Sequence, residues 1–138
     1  MRFGPGVAVL AVVLSLVAGP VWAEDCPVTS FQSDDIVAAL NKAPSCDRAM
    51  KIFEACQFGA SGDVEFGDTV EKKCEGDFLS RLKAPQKQAY QREMGVCDRK
   101  YRNQSGTMYR SFTAFCRAQV AQRYSQQALK AASPARAR

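Results

Sequence analysis

The sequence predicts an all-α protein: a small disulfide-stapled bundle of four to five helices arranged as antiparallel helical hairpins. Three observations predict it. Apolar residues recur at three- and four-residue spacing in successive segments, and no segment alternates with period two. Capping residues precede these segments, and Gly- or Pro-containing breaks separate them. Six cysteines are spread over a short chain that contains no His.

The first element is not part of the bundle. Residues 1–23 read as a signal peptide: Arg2, then the apolar run "VAVLAVVLSLVA" from Val7 to Ala18, then Val21 and Ala23 in the positions before a cut. That run has twelve residues, whereas a bilayer span needs ~20. No later stretch approaches that length, so no transmembrane anchor is expected after cleavage. Glu24 and Asp25 precede Cys26, so no cysteine stands directly after the cut to take a lipid. The exported chain begins at Glu24 and is short enough for one domain. That domain is placed at 24–130, with a flexible basic tail at 131–138 ("AASPARAR"). The expected location is periplasmic or secreted.

The helices follow in order. Ser33 is a candidate N-cap, with Asp34 and Asp35 in the first turn and Ile36, Val37 and Leu40 behind them. Pro44 ends this helix. Ser45 caps the next, "CDRAMKIFEACQF", with Met50, Phe53 and Cys56 facing inward. Gly59 to Asp68 ("GASGDVEFGD") reads as a Gly-rich acidic loop. Val70, Cys74, Phe78 and Leu82 then repeat every four residues as one apolar stripe. Pro85 suits the first turn of a helix that carries Tyr90, Met94, Cys97 and Tyr101 on one face. "RNQSG" breaks it, and Asn103 there begins a glycosylation sequon. The last helix shows Met108, Phe112, Phe115, Cys116, Val120, Tyr124 and Ala128.

The cysteines are Cys26, Cys46, Cys56, Cys74, Cys97 and Cys116. An even number in a short exported chain indicates a disulfide framework. Without His and without a C-x-x-C pair the zinc and haem signatures are missing, so no metal and no cofactor are expected. Cys46 and Cys56 lie ten residues apart on one helix, ~15 Å of axial rise, while a disulfide needs Cα atoms within ~7 Å. Of the fifteen connectivities that six cysteines permit, the expectation is therefore Cys26–Cys46, Cys56–Cys74 and Cys97–Cys116. The last two pairs flank the two loops.

Charge divides the chain. Glu24 to Leu82 carries twelve acids and six bases, net −6; Lys83 to Arg138 carries two acids and twelve bases, net +10. Opposite fields on one small domain can steer partners. Solvated helix faces that attract each other explain the same pattern. Arg110, Arg117, Arg123 and Lys130 recur at about one face of the last helix. Export argues against nucleic acid, so anionic envelope lipid or a cell-wall polymer such as peptidoglycan is the expected partner of a basic surface. The partner-binding candidates are Asp63, Glu65 and Asp68 in the acidic loop, and Arg99, Lys100, Arg102 and Arg110 at the basic tip. No catalytic residues are expected. His, the commonest general base, is absent, and a carboxylate pair such as Glu71 and Glu75, one turn apart, reads first as structural.

Residues 86–129, "QKQAYQREMGVCDRKYRNQSGTMYRSFTAFCRAQVAQRYSQQAL", carry a pattern found in a known family. Gln88, Tyr90, Arg92 and Cys97 lie on one helix, Ser105-Gly106 forms the turn, and Cys116 and Arg123 lie on the next. In this stretch the chain resembles the LprI-type lysozyme-inhibitor domain of small exported bacterial proteins. Tyr90 stands where a Trp is common there, and Cys26, Cys74 and the Gly-rich insertion depart from the pattern. The resemblance implies a helical, disulfide-bonded envelope protein without enzymatic activity that binds a lysozyme-type muramidase. In that setting the acids of the Gly-rich loop would steer the encounter with a cationic enzyme. The alternative is an envelope-associated interaction protein that uses its basic C-terminal half.

Overall fold

The computed structural model describes residues 24–30 and 32–133. The expected signal peptide at 1–23 and the end of the basic tail, 134–138, lie outside the described residues. Five α-helices and one short 3-10 turn make up the described chain: α1 (Ser33–Lys42), α2 (Cys46–Cys56), α3 (Gly62–Glu75), the turn Leu79–Arg81, α4 (Ala84–Lys100) and α5 (Thr107–Ala131).

The helix boundaries follow local chemistry. Ser45 caps α2 as expected, its Oγ accepting from the Arg48 N–H at 3.1 Å. Ser33 is not a cap. It is the first residue of α1, and Gln32 precedes it as N-cap. Lys73 reaches across to α1 and donates to the carbonyls of Asn41 (3.1 Å) and Ala43 (2.8 Å), which satisfies the end of that helix. Pro85 sits in the first turn of α4, and Gln86 Oε1 accepts from the Lys83 N–H at 2.9 Å.

Two expected stretches differ. The Gly-rich loop is shorter than the sequence suggests, because α3 already begins at Gly62. An acid in the first turn of a helix is favoured by the backbone dipole, and Asp63 and Glu65 occupy that turn. The stripe Val70, Cys74, Phe78, Leu82 does not lie on one helix. α3 ends at Glu75, Gly76 takes the C-cap position, and Phe78 belongs to the turn that follows.

The earlier start of α3 also corrects the disulfides. The bonds are Cys26–Cys56, Cys46–Cys74 and Cys97–Cys116, with Cα separations of 4.9, 4.7 and 5.6 Å. Cys97–Cys116 is as expected; the other two exchange partners. α2 and α3 form an antiparallel hairpin. Cys74 lies twelve residues beyond Gly62, ~18 Å from the start of α3, and therefore beside the beginning of α2, where Cys46 stands. Cys56, at the other end of α2, takes Cys26. The sequence separations of 30, 28 and 19 residues allow each link to restrict the unfolded chain by ~3 kcal/mol on the entropy account.

α5 is the spine. Its most extensive partner is α3, and the two run parallel. Asp63 meets Ser111, Glu71 meets Arg117 and Asp77 meets Ser125, at a constant offset of 46 to 48 residues. The face of α5 turned to α3 is built from small residues: Ser111, Ala114, Ala118, Ala121 and Ser125 are all buried. One core fills the space between α1, α2, α3 and this face, with Phe53 against Phe66 and Phe115 at ring distances of 6.5 and 5.4 Å. A second core lies where α4 packs on α5, around Phe78, Tyr90 and Tyr124, whose rings are 5.0 to 5.4 Å apart. Met108 and Phe112, expected among the packed residues of α5, are instead 47% and 42% exposed.

α3 approaches α5 closely at Gly67. A Cβ there would stand 2.8 Å from the Cβ of Ala114 and 3.0 Å from its carbonyl oxygen. Glycine at that position lets the two backbones touch. In an exposed helix interior, Gly to Ala stabilises by about 0.5–1 kcal/mol. Here Gly67→Ala is expected to destabilise by about 1–3 kcal/mol through overpacking, measured by urea unfolding of the oxidised protein. A stabilised variant contradicts the close approach.

Candidate functional site

Three places bring chemistry-bearing residues together: the corner before α3, a cleft between α3, α4 and α5, and the tip of the α4–α5 hairpin. The first is where Asp63, Glu65 and Asp68 were expected to meet a partner. Asp63 is fully buried. Its carboxylate accepts from the backbone N–H groups of Phe58 (3.0 Å), Gly59 (2.7 Å) and Ala60 (3.2 Å), and from the hydroxyl of Ser111 (2.7 Å). Three backbone donors and a hydroxyl satisfy a buried carboxylate without a counter-ion. Asp63 is therefore a strut and is not accessible to a partner, contrary to the expectation of a solvated loop acid. Glu65 and Asp68 are exposed on α3. The signal that could have found the strut is positional: an acid just after a Gly-rich break marks a helix start.

The cleft, of about 440 Å³, is lined by Glu71, Glu75, Tyr90, Met94, Asp98 and Arg117, among others. The pair Glu71 and Glu75 singled out in the sequence lies here. Arg117 forks between two carboxylates. Its Nε and Nη2 donate to Glu71 at 3.1 and 2.9 Å, and its Nη1 donates to both oxygens of Asp98 at 3.0 and 2.9 Å. Tyr90 donates to Glu75 at 2.9 Å. Burial pushes the Glu71 carboxyl above its usual range, and the Arg117 guanidinium offsets only part of that. Burial also raises the Tyr90 hydroxyl well above its ordinary value, and its bond to Glu75 adds to the effect. Each acid of the cleft is thus already bonded to a donor from the protein. Such an arrangement locks α4 onto the α3–α5 pair.

This network also dissolves the basic stripe expected along α5. Arg117 is engaged with Glu71 and Asp98, and Arg123 pairs with Glu93. Of the four, Arg110 at the start of the helix and Lys130 at its end are exposed and form no salt bridge among the described residues, and Arg110 lies on the tip.

The tip is the third place. Arg99, Lys100, Arg102 and Arg110 are all exposed, and none forms a salt bridge among the described residues. After Asp98 the chain contains no further acid. Tyr101, Tyr109 and Phe112 stack on one another with centroids 5.6 to 6.0 Å apart, and the Lys100 Nζ lies 5.3 Å from the Tyr101 ring. Gly106, at φ +116, makes the turn into α5. Cys97–Cys116 closes the base of the tip. Among the described residues no group of three or more His, Cys, Asp or Glu side chains is placed to hold a metal ion, and no helix is long and apolar enough to cross a membrane.

Comparison with known proteins gives no match: no family model, no curated protein and no solved structure is similar to this chain.

The Arg117 fork yields a prediction. Arg117→Met leaves Glu71 half-buried without its cation and is expected to cost about 2–4 kcal/mol near neutral pH. The folded-state pKa of Glu71, already raised, then rises further. Below its unfolded value the group is protonated in both states and the deficit is small. As pH climbs through the folded value the deficit grows. Denaturant unfolding of wild type and variant at about pH 4 and about pH 7 measures this. An equal deficit at both contradicts the burial of Glu71.

Proposed function

We propose that this protein is an exported, non-enzymatic binding protein that docks on polyanionic envelope surfaces through the α4–α5 hairpin tip. The observation that carries this reading is the tip's charge. Four exposed cations occupy it without a salt bridge among the described residues. The nearest acid in sequence, Asp98, is held by Arg117 at the base. Unneutralised cations on an exposed turn attract phosphate or carboxylate groups at long range and accelerate encounter. The internally bonded carboxylates of the cleft support binding over catalysis. Three disulfides support an oxidising, extracytoplasmic compartment.

A second reading follows from the resemblance over residues 86–129 and from the exposed pair Glu65 and Asp68, three residues apart on one face of α3. In that reading the acidic half meets a cationic muramidase of the lysozyme type. Asp63, being internal, is not part of such a surface.

The test compares the oxidised wild type with a variant carrying Arg99→Gln, Lys100→Gln, Arg102→Gln and Arg110→Gln. Binding to phosphatidylglycerol vesicles and to soluble polyphosphate is measured at two salt concentrations. Each cation near an anionic surface contributes on the order of ~1 kcal/mol, or about fivefold in affinity, and the contribution weakens with salt. The variant should lose most of the binding, and salt should have little further effect on it. Wild type that binds neither probe contradicts the proposal. Inhibition of a muramidase that is abolished by Glu65→Gln with Asp68→Asn favours the second reading instead.

A further inference from the structure

The tip carries more than charge. Met108 and Phe112, at i and i+4 on one face of α5, are 47% and 42% exposed. A salt-bridged or hydrated polyanion contact gives no reason to display two large apolar side chains among four cations. Phe112 is held in place by its stack with Tyr101 and Tyr109. The tyrosines are amphipathic, the side-chain type enriched where one end is apolar and the other wet. The disulfide at the base keeps the two arms together. The end of the bundle that bears the tip also bears the α2–α3 corner, because α3 and α5 run parallel from Asp63 and Ser111. At that corner Phe58 is 55% exposed. The acids at that end are the internal Asp63, the exposed Glu54 and Glu65, and the exposed Asp34 and Asp35 of α1, whose Ser33 lies beside Gly62, so the cationic tip must lead the approach.

We infer that the hairpin tip is a membrane-inserting wedge: Met108 and Phe112 enter the headgroup–acyl boundary of an anionic bilayer while Arg99, Lys100, Arg102 and Arg110 hold its phosphates. The inference rests on the polyanion-docking reading and names its surface as lipid. Cations draw the tip to the leaflet, and their aliphatic stems lie along the boundary with the charges in the headgroup layer. Removal of the exposed apolar area from water then supplies an attraction that a soluble polymer cannot offer.

The only Trp in the sequence is Trp22, in the segment read as signal peptide. A single reporter, Phe112→Trp, therefore gives a clean signal in the oxidised exported protein, with wild type as background. Phosphatidylglycerol vesicles should shift its emission to shorter wavelength and shield it from an aqueous quencher. Soluble polyphosphate should do neither. Met108→Ser, which leaves the three-ring stack intact, should weaken vesicle binding by roughly threefold or more, and Met108→Ser with Phe112→Ser by roughly tenfold or more. The loss should be larger on vesicles than on polyphosphate.

Vesicle binding with unshifted Trp emission, or with equal affinity for Met108→Ser, overturns the wedge and leaves surface adsorption by the cations. Binding to polyphosphate alone also overturns the wedge and leaves the docking reading standing. Binding to neither removes both.

Discussion

Asp63 accepts hydrogen bonds from three consecutive backbone N–H groups and from Ser111, and the register of α3 on α5 is set there. The carboxylate joins the α2–α3 corner to the first turns of α5. From that point the parallel pair continues in step: Gly67 against Ala114, Glu71 against Arg117, Asp77 against Ser125. A slip of one residue would bring the Ala114 backbone against a side chain in place of Gly67, and would leave Asp63 buried without Ser111. Both are expensive. The small residues of α5 allow the close approach, and the polar pairs define where along the helices it occurs. Nonspecific apolar packing alone does not make that choice.

Other features depend on this alignment. With α3 fixed on α5, the Cys46–Cys74 bond positions α2, and Cys26–Cys56 ties the N-terminal segment to the far end of α2. α4 then packs antiparallel on α5. The Arg117 fork, the three-ring cluster of Phe78, Tyr90 and Tyr124, and Cys97–Cys116 join it to the pair. The hairpin tip projects beyond the last of these links. It is a short turn on a doubly anchored base, so its exposed side chains are held in position at little entropic cost upon binding.

Much of this was legible in the residues, and the failures share a cause. Ser45, Pro85 and the Cys97–Cys116 staple are local signals, and each stands where the spacing placed it. The start of α3 was misplaced because glycines at 59, 62 and 67 imitate a loop, whereas Gly67 serves the contact with Ala114. That single misplacement exchanged two disulfide partners and put Asp63 in solvent. Phe115, Cys116, Val120, Tyr124 and Ala128 pack as their size and spacing suggest, and only Met108 and Phe112 do not; the face toward α3 is the one that large apolar residues fail to mark. The buried stripe of α5 toward α3 is mostly Ala and Ser, a pattern that points inward only when the partner helix is known to come close. The fork of Arg117 is invisible in sequence because its three members lie on three helices. The cations at the tip are legible in sequence: Arg99, Lys100 and Arg102 are nearly consecutive, Arg110 follows across the turn, and no acid comes after them.

The molecule that results is polar in the electrical sense. Its first three helices carry the acidic excess and the hairpin carries the basic one. Glu71–Arg117 joins the halves, while Asp98–Arg117 and Glu93–Arg123 pair α4 with α5 inside the hairpin. Exposed cations outside these salt bridges remain along α4 and at Lys130, and four of them, Arg99, Lys100, Arg102 and Arg110, meet at the tip, which the account assigns to a partner. Backbone hydrogen exchange of the oxidised protein with and without phosphatidylglycerol vesicles tests that claim most directly. The account predicts added protection confined to about residues 99–113, with α1 to α3 unchanged. Protection centred on α3 around Glu65 and Asp68, or no change anywhere in the hairpin, would contradict it.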